Sequence, residues 1–135
     1  MNLSAIDKSS VRYTFTKSER LSSKKILESL MQRGKAFQQF PFRFIYLAAE
    51  LPSDFPVQVC MAVPKRKIAK SVRRNLIKRR MREAYRLQKH SIYGILHGKG
   101  TQYAIMVIYT ADTVLDYPTI STGMAAGIEK LNTLV

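Results

Sequence analysis

This sequence concentrates its basic side chains in one short segment, and these are the residues whose chemistry most clearly suggests binding. Twelve of the 23 Lys and Arg residues lie between Lys65 and Lys89, and Glu83 is the single acid among them. At about 100° per residue on a helix, most of these cations share one arc of roughly 140°, with Asn75 among them. Arg dominates the arc, and a guanidinium group binds phosphate through paired hydrogen bonds. The segment therefore predicts a helix that binds a polyanion, with nucleic acid as the leading partner.

We call this arc the basic ridge, and it consists of Arg74, Lys78, Arg79, Arg82, Arg86 and Lys89. An apolar side lies largely opposite, made of Ala69, Val72, Leu76, Ile77, Ala84 and Leu87. A helix that is merely solvated would alternate acids and bases at i, i+4 spacing, and Glu83 alone cannot balance the ridge. The pattern favours a helix that packs through one side and binds through the other.

A second basic group stands immediately before the helix. Lys65, Arg66, Lys67 and Lys70 follow a predicted strand and lead into the helix. The unpaired N–H groups and the positive dipole end of a helix N-terminus also attract phosphate. We expect this stretch to extend the binding surface.

Residues that could catalyse a reaction or hold a metal are few and scattered. His90 and His97 are seven positions apart, without a cysteine or an acidic cluster at ligand spacing. Asp112 and Asp116 flank a turn before Pro118, where helix capping explains them better than a two-metal nuclease site. No Gly-rich phosphate loop is present. We predict no catalytic residue, no metal site and no cofactor bound by this chain.

Composition favours one ordered domain inside the cell. The chain has 135 residues, 46% of them hydrophobic, and a net charge of +14, which predicts a single domain over residues 1–135 with about the first 15 flexible. Its one cysteine, Cys60, lies in the apolar run VQVCMAV and fits a buried thiol in a reducing cytoplasm. No run approaches the roughly 20 apolar residues that cross a bilayer, and the first residues lack a secretory signal. We expect a cytoplasmic location, no membrane contact and no evident protein partner.

Periodicity and turn residues predict an alternating order of elements. A helix begins after Ser22 or Ser23 and ends near Gly34, and the basic helix spans about 69 to 89. Strands are predicted at about 36 to 39, 42 to 49, 57 to 63 and 103 to 110. Residues 94 to 100 are predicted to form a loop, and a last helix runs from about 118 to 131.

The strand at 42 to 49 has two faces with different possible uses. One carries aromatic rings, and its members are Phe40, Phe42, Phe44 and Tyr46. The other carries Arg43, Ile45 and Leu47. The aromatic face fits either core packing or stacking on single-stranded RNA bases. A lone Arg is costly to bury without a partner, so the face of Arg43 is the other candidate for an RNA cleft, and the sequence leaves both interpretations open.

The basic segment resembles the signature helix of the bacterial ribonuclease P protein family. The matching residues lie in RRNLIKRRMRE, after the basic stretch VPKRKIAKSV, and are Arg74, Asn75, Lys78, Arg79, Arg82 and Glu83. The resemblance covers about residues 15 to 131. The chain departs from the family at Leu76, which is usually basic, at Ala69, which is usually glycine, and at Leu27 and Met31, where some members carry Phe.

The resemblance implies an α+β fold, an α/β sandwich in which a four-stranded sheet packs with three helices. The implied order is α-β-β-β-α-β-α, with a left-handed crossover at the signature helix. It also implies that this chain is the protein subunit of an endoribonuclease that removes the 5′ leader of precursor tRNA. The resemblance then implies that a catalytic RNA subunit and its bound Mg²⁺ cleave the RNA. The protein would raise the affinity of the complex for its substrate and for metal ions.

The resemblance further implies two RNA-binding surfaces. The first would bind the RNA subunit through the signature helix and the basic stretch before it, using Lys65, Arg66, Lys67, Lys70, Arg73, Arg74, Asn75, Lys78, Arg79, Arg82 and Arg86. The second would be a cleft for the leader of precursor tRNA, formed by Phe15, Leu27, Met31, Arg43 and Ile45.

Two other classes of protein share parts of this pattern. A ribosomal or other structural RNA-binding protein would have the same charge and mixed fold without nuclease activity. A helix-turn-helix DNA-binding protein would place the basic helix in a major groove, but that motif needs a helix shortly before residue 69, where a strand is predicted.

Overall fold

A mixed four-stranded sheet with helices on both faces organises the molecule. The computed structural model describes residues 14–135. In chain order, the elements are a short 3₁₀ helix (Lys17–Glu19), α1 (Lys24–Arg33), β1 (Lys35–Gln39), β2 (Phe42–Ala48), β3 (Val57–Ala62), α2 (Ser71–Gln88), α3 (His90–Lys99), β4 (Tyr103–Tyr109) and α4 (Tyr117–Leu134). The prediction that about the first 15 residues are flexible falls mainly on residues 1–13, outside those described.

The sheet has the strand order β1-β2-β4-β3. β1 pairs with β2 and β2 with β4 in antiparallel fashion, whereas β3 and β4 are parallel neighbours. The connection between the two parallel strands runs through α2 and α3, since parallel strands need a long crossover. The predicted α+β fold with four strands is confirmed, and the left-handed sense of the crossover stays a prediction.

The predicted loop at 94 to 100 is wrong, because these residues belong to a fourth helix. α3 runs from His90 to Lys99 and buries Ile92 and Leu96, which stand four positions apart on one side. Two glycines inside it, Gly94 and Gly98, face open space. The helix ends at Gly100, whose φ of 67° suits glycine. Residues 14–135 therefore form four α-helices where three were expected.

The larger core lies between one face of the sheet and helices α2, α3 and α4. Phe42, Phe44 and Tyr46 are buried there, so the aromatic face of β2 packs in the core. Phe40 is the exception, since it precedes β2 in a turn and is 65% exposed. α4 packs closely on this face because Gly127 carries no side chain: a Cβ would lie 2.1 Å from Cζ of Phe44.

A smaller core lies on the opposite face, beneath α1. Its buried members are Leu21, Leu30, Ile45, Leu51 and Ala104. Ser23 begins α1 as predicted, because its Oγ accepts a hydrogen bond from the Ile26 amide at 3.3 Å. Gly34 ends the helix, and α1 covers only part of this face. Across residues 14–135, no helix is long and apolar enough to span a bilayer.

Candidate nucleic-acid interface

The basic ridge lies along α2, which is attached to the core by a narrow apolar side. That side consists of Ile77, Met81, Ala84 and Tyr85, all buried. The remaining surface is cationic and open to solvent. Arg73, Asn75 and Arg79 are exposed, and Arg74, Lys78, Arg82 and Arg86 are partly exposed. α2 therefore packs through its apolar side and presents a row of basic side chains to solvent.

Two parts of the predicted helix pattern are wrong. Val72 and Leu87 were expected on the packed side but are 78% and 46% exposed. Lys89 was expected on the ridge but is 1% exposed. It is the residue that joins α2 to α3, and its backbone is helical, with φ of −70° and ψ of −19°. Lys89 lies four positions after buried Tyr85 and continues that buried side of the helix, although its charge favoured the ridge.

Lys89 forms a buried ion pair with Glu19, which is also fully buried. Lys89 also donates to the Thr14 carbonyl. The Glu19 carboxylate accepts further hydrogen bonds from the Tyr93 hydroxyl and the Thr16 amide, both at 2.8 Å. Burial alone would raise the pKa of Glu19, but the hydrogen bonds from Lys89, Thr16 and Tyr93 outweigh it and hold the pKa below its ordinary value.

This ion pair fastens residues 14–21, which we call the N-terminal segment, to the end of α2. The segment is also held on β3. The Gln58 side chain donates to the Ser18 carbonyl at 2.9 Å, and the Leu21 amide donates to the Val59 carbonyl at 2.9 Å. Arg20, which lies between them, forms a parallel bridge with Val59. The backbone of Arg20 is thus fixed beside the sheet.

Between the N-terminal segment and α2 lies a pocket of about 270 Å³, which we call the arginine pocket. Its lining residues are Phe15, Arg20, Arg79, Arg82, Glu83 and Arg86. Glu83 is committed to Arg86 through hydrogen bonds of 3.0 and 2.5 Å. Arg20 Cζ lies 5.5 Å from the centroid of the Phe15 ring, within the range of a cation–π contact.

The basic stretch before α2 forms an exposed turn. Lys65, Arg66 and Lys67 are all exposed, while Ile68 is buried and anchors the turn. Arg74 reaches back from the helix, and its Nη1 donates to the carbonyls of Ile68 and Ala69 at 2.9 and 2.6 Å. Arg74 therefore organises the turn in addition to carrying charge. Lys70 is exposed at the N-cap without a side-chain cap bond.

The predicted leader cleft is only partly assembled from the predicted residues. Leu27 and Ile45 share the smaller core with half-buried Met106, Ile108 and Cys60. Two further residues on the same side are accessible, because Met31 is 60% exposed on α1 and Arg43 is exposed on β2. Burial raises the pKa of the Cys60 thiol, which keeps it protonated.

Phe15 does not lie with the other predicted cleft residues. It packs against the larger core, with its ring 5.6 Å from the ring of Tyr85 in an edge-to-face arrangement. Arg20 and the Glu19–Lys89 pair were not among the residues predicted from the sequence. Arg20 and Glu19 contact residues at α2 that come about 60 to 70 positions later in the chain. Local periodicity cannot reveal contacts over such a separation. Glu19 stands between Ser18 and Arg20, and Lys89 between Gln88 and His90, so no local pattern distinguishes either residue.

Other polar residues singled out in the sequence have structural surroundings. Asp116 caps α4, because its side chain accepts from the Thr119 amide at 3.0 Å, and this hydrogen bond lowers its pKa. His97 and Asp112 are exposed. Within residues 14–135, no three His, Cys, Asp or Glu side chains come together as a metal site would need.

Sequence comparison identifies relatives over most of the chain. The family model described as Ribonuclease P matches residues 15–131. The chain is 30% identical over 122 residues to the ribonuclease P protein component of Porphyromonas gingivalis strain W83, covering 88% of this chain and 87% of that protein. It is 38% identical over 78 residues to the corresponding protein of Syntrophus aciditrophicus, covering 58% of this chain and 62% of that protein.

Solved structures agree in fold. The RNase P protein of Staphylococcus aureus superposes with a TM-score of 0.67 at 18% identity, over 85% of this chain and 96% of that chain. The protein of Thermotoga maritima gives a TM-score of 0.63 at 20% identity, over 87% and 97% of the two chains. The match across residues 15–131 and the shared fold lead to one assignment. The chain belongs to the bacterial ribonuclease P protein family, whose members are protein components of the endoribonuclease complex that processes the 5′ ends of tRNA.

Proposed function

We propose that α2 and the basic turn before it bind the catalytic RNA subunit of ribonuclease P. The observation that carries this proposal is the arrangement of α2, whose buried side fixes the helix while its cations stay accessible. Such a surface gains affinity by releasing counterions from RNA phosphates. Arg side chains add paired hydrogen bonds to the same phosphates. Asn75 is exposed among them and offers both a donor and an acceptor to a ribose or a base edge.

The second part of the proposal is that α1 and the adjoining sheet face hold the single-stranded 5′ leader of precursor tRNA. The apolar side chains of Leu27, Met106 and Ile108 are half-buried and provide a floor for unstacked bases. Arg43 is exposed on the same face of β2, where it can contact a phosphate. Phe15 is left out of this surface because it packs on the other core.

The chemistry in this proposal belongs to the RNA subunit and its Mg²⁺. Three acids of the described residues have structural tasks instead: Glu19 pairs with Lys89, Glu83 pairs with Arg86, and Asp116 caps a helix. The protein would raise affinity for precursor tRNA and for the metal ions of the RNA, in the cytoplasm where precursor tRNA is made. No side chain of the protein would act as a general base.

A cleavage assay at low Mg²⁺ tests the whole proposal. Precursor tRNA is incubated with the RNA subunit, with and without the protein. We expect the protein to restore cleavage at Mg²⁺ concentrations where the RNA alone is slow. His97→Ala and Asp116→Asn should keep near wild-type turnover at saturating substrate and high Mg²⁺. The proposal is wrong if the protein leaves cleavage unchanged, or if either variant loses turnover by orders of magnitude while still folded.

A further inference from the structure

Among the residues that the structure describes, four arginines and one acid line the arginine pocket. Arg79, Arg82 and Arg86 come from α2, and Arg20 comes from the N-terminal segment. The carboxylate of Glu83 is already paired with Arg86. Within residues 14–135, Arg79 and Arg82 form no ion pair of their own. The pocket therefore holds an excess of positive charge that repels itself.

Arg20 reaches the pocket because its surroundings fix both its backbone and its guanidinium. The backbone is held on β3 by the bridge to Val59. The guanidinium lies over the Phe15 ring, and that ring in turn packs edge-to-face on Tyr85 of α2. A cation held by a backbone bridge and a ring contact keeps less freedom than a surface side chain, so less entropy is lost when it binds.

Arg20 also lies far from the other three in the chain, since it is 59 positions before Arg79. The pocket is thus built by the fold and is not simply one side of a basic helix. Folding would bring these like charges together at a cost in stability, unless an anion is bound there in the working complex. An arrangement of several guanidinium groups around one space suits a single phosphate, which accepts several charge-assisted hydrogen bonds.

We propose that the arginine pocket clamps one backbone phosphate of the RNA subunit, held jointly by Arg20 from the N-terminal segment and Arg82 from α2. Arg79 adds positive charge at the rim, and Phe15 orients Arg20. The proposal rests on the proposed function, because it assumes that α2 faces the RNA subunit. It adds that the N-terminal segment is part of that interface, and that two distant residues share one phosphate.

A double-variant cycle tests the shared phosphate. Affinity for the RNA subunit is measured against salt concentration for wild type, Arg20→Ala, Arg82→Ala and the double variant. Each single variant should bind roughly tenfold more weakly, as expected for a lost hydrogen bond to a charged group. If one phosphate is shared, the double variant lowers the salt slope by about one unit in total, whereas two separate phosphates would lower it by about two.

Arg73 provides the matched control. It is an exposed arginine on α2 that does not line the pocket. Combining Arg73→Ala with Arg20→Ala should lower the slope by the sum of the two single-variant changes, because these residues would contact different phosphates. Arg20→Lys should keep the wild-type slope while losing part of the affinity, since an ammonium group cannot form the paired hydrogen bonds.

Three results would overturn the proposal: wild-type affinity of Arg20→Ala, a two-unit fall in slope for Arg20→Ala with Arg82→Ala, or an RNA subunit that does not bind the wild-type protein. Thermal melting of each variant verifies the fold. Failure of the proposed function is recognised separately, because the wild-type protein would then neither bind the RNA subunit nor stimulate cleavage. If the wild-type protein binds the RNA subunit and stimulates cleavage, but the changes in salt slope of the two single variants simply add, only the shared clamp is wrong.

Discussion

At the scale of single residues, the buried pair Glu19 and Lys89 departs most from ordinary side-chain behaviour. Both are almost completely removed from solvent, and each would be costly to bury alone. The cost is offset by a complete set of partners, since Tyr93 and Thr16 also donate to the Glu19 carboxylate. The pair links the N-terminal segment to the junction of α2 and α3.

Replacing one partner of this pair should destabilise the protein strongly. Lys89→Met leaves the Glu19 carboxylate buried without its counter-charge, and we expect a loss of about 3 to 5 kcal/mol in the free energy of unfolding. Urea unfolding measures this loss. The double variant Glu19→Gln with Lys89→Met removes both charges, so it should be more stable than Lys89→Met alone. Equal stabilities for these two variants would contradict the pairing.

The same pair makes stability depend on pH in the acid range. The folded state holds the pKa of Glu19 below its ordinary value of 4.5. Its contribution is therefore fully present above pH 4.5 and is lost as the pH falls through the lower folded-state pKa. Unfolding measured between neutral and acid pH should show this loss for wild type. Glu19→Gln should show a smaller fall below pH 4.5, and an identical fall in both proteins would refute the assignment.

At the scale of elements, the sequence predicted the helices and strands whose apolar residues recur with a clear period. The strands and α1, α2 and α4 were located within about three residues, because apolar spacing, Ser23 and Gly34 mark their limits. α3 was missed because Gly94 and Gly98 were interpreted as loop residues. The face of β2 could not be assigned, since alternation separates two faces without saying which one the helices cover.

The two faces of β2 should respond differently to substitution. Phe44 is buried in the larger core, so Phe44→Ala should lower the free energy of unfolding by about 3 to 5 kcal/mol. Arg43 is exposed, and Arg43→Ala should change the free energy of unfolding by no more than about 0.5 kcal/mol. Binding supplies the functional half of the test. Arg43→Ala should weaken binding to precursor tRNA and leave binding to mature tRNA unchanged, and the opposite pattern for the two variants would make the aromatic face the stacking surface.

Two helical glycines form a matched pair for testing how closely α4 packs. At Gly127 an added Cβ would lie 2.1 Å from Cζ of Phe44, whereas at Gly98 it would meet nothing within 4 Å. Gly127→Ala should destabilise the protein by about 1 to 3 kcal/mol through overpacking. Gly98→Ala should stabilise it by about 0.5 to 1 kcal/mol, because Ala favours the helix. Thermal melting distinguishes the two, and a shift of the same sign for both would contradict this account.

At the scale of the whole molecule, a net charge of +14 on 135 residues dominates its encounters with RNA. The charge is concentrated on α2 and the turn before it, while the opposite side of that helix is buried. The composition alone indicated a polyanionic partner. It could not show that the N-terminal segment adds Arg20 to this surface, because that contact depends on the complete fold.

Removing charge from the ridge should change binding without unfolding the protein. We choose Arg73, Lys78 and Arg82, and leave Arg74 because it holds the turn through Ile68 and Ala69. Replacing the three by Ala should flatten the salt dependence of RNA-subunit binding by roughly two to three units. Lys99→Ala, at the exposed end of α3, serves as the charge-removal control. An unchanged slope in the triple variant would show that the ridge does not contact RNA.

The N-terminal segment has one more consequence, which concerns association between copies of the chain. β3 is the last strand of the sheet, and an open strand edge invites pairing with another molecule. Arg20 and Leu21 lie along this edge, where they bridge and hydrogen-bond to Val59. At the other edge, β1 is only five residues long and begins with an exposed lysine. Both edges of the sheet are therefore poor templates for strand addition, which opposes aggregation of a protein that carries so much apolar sheet surface.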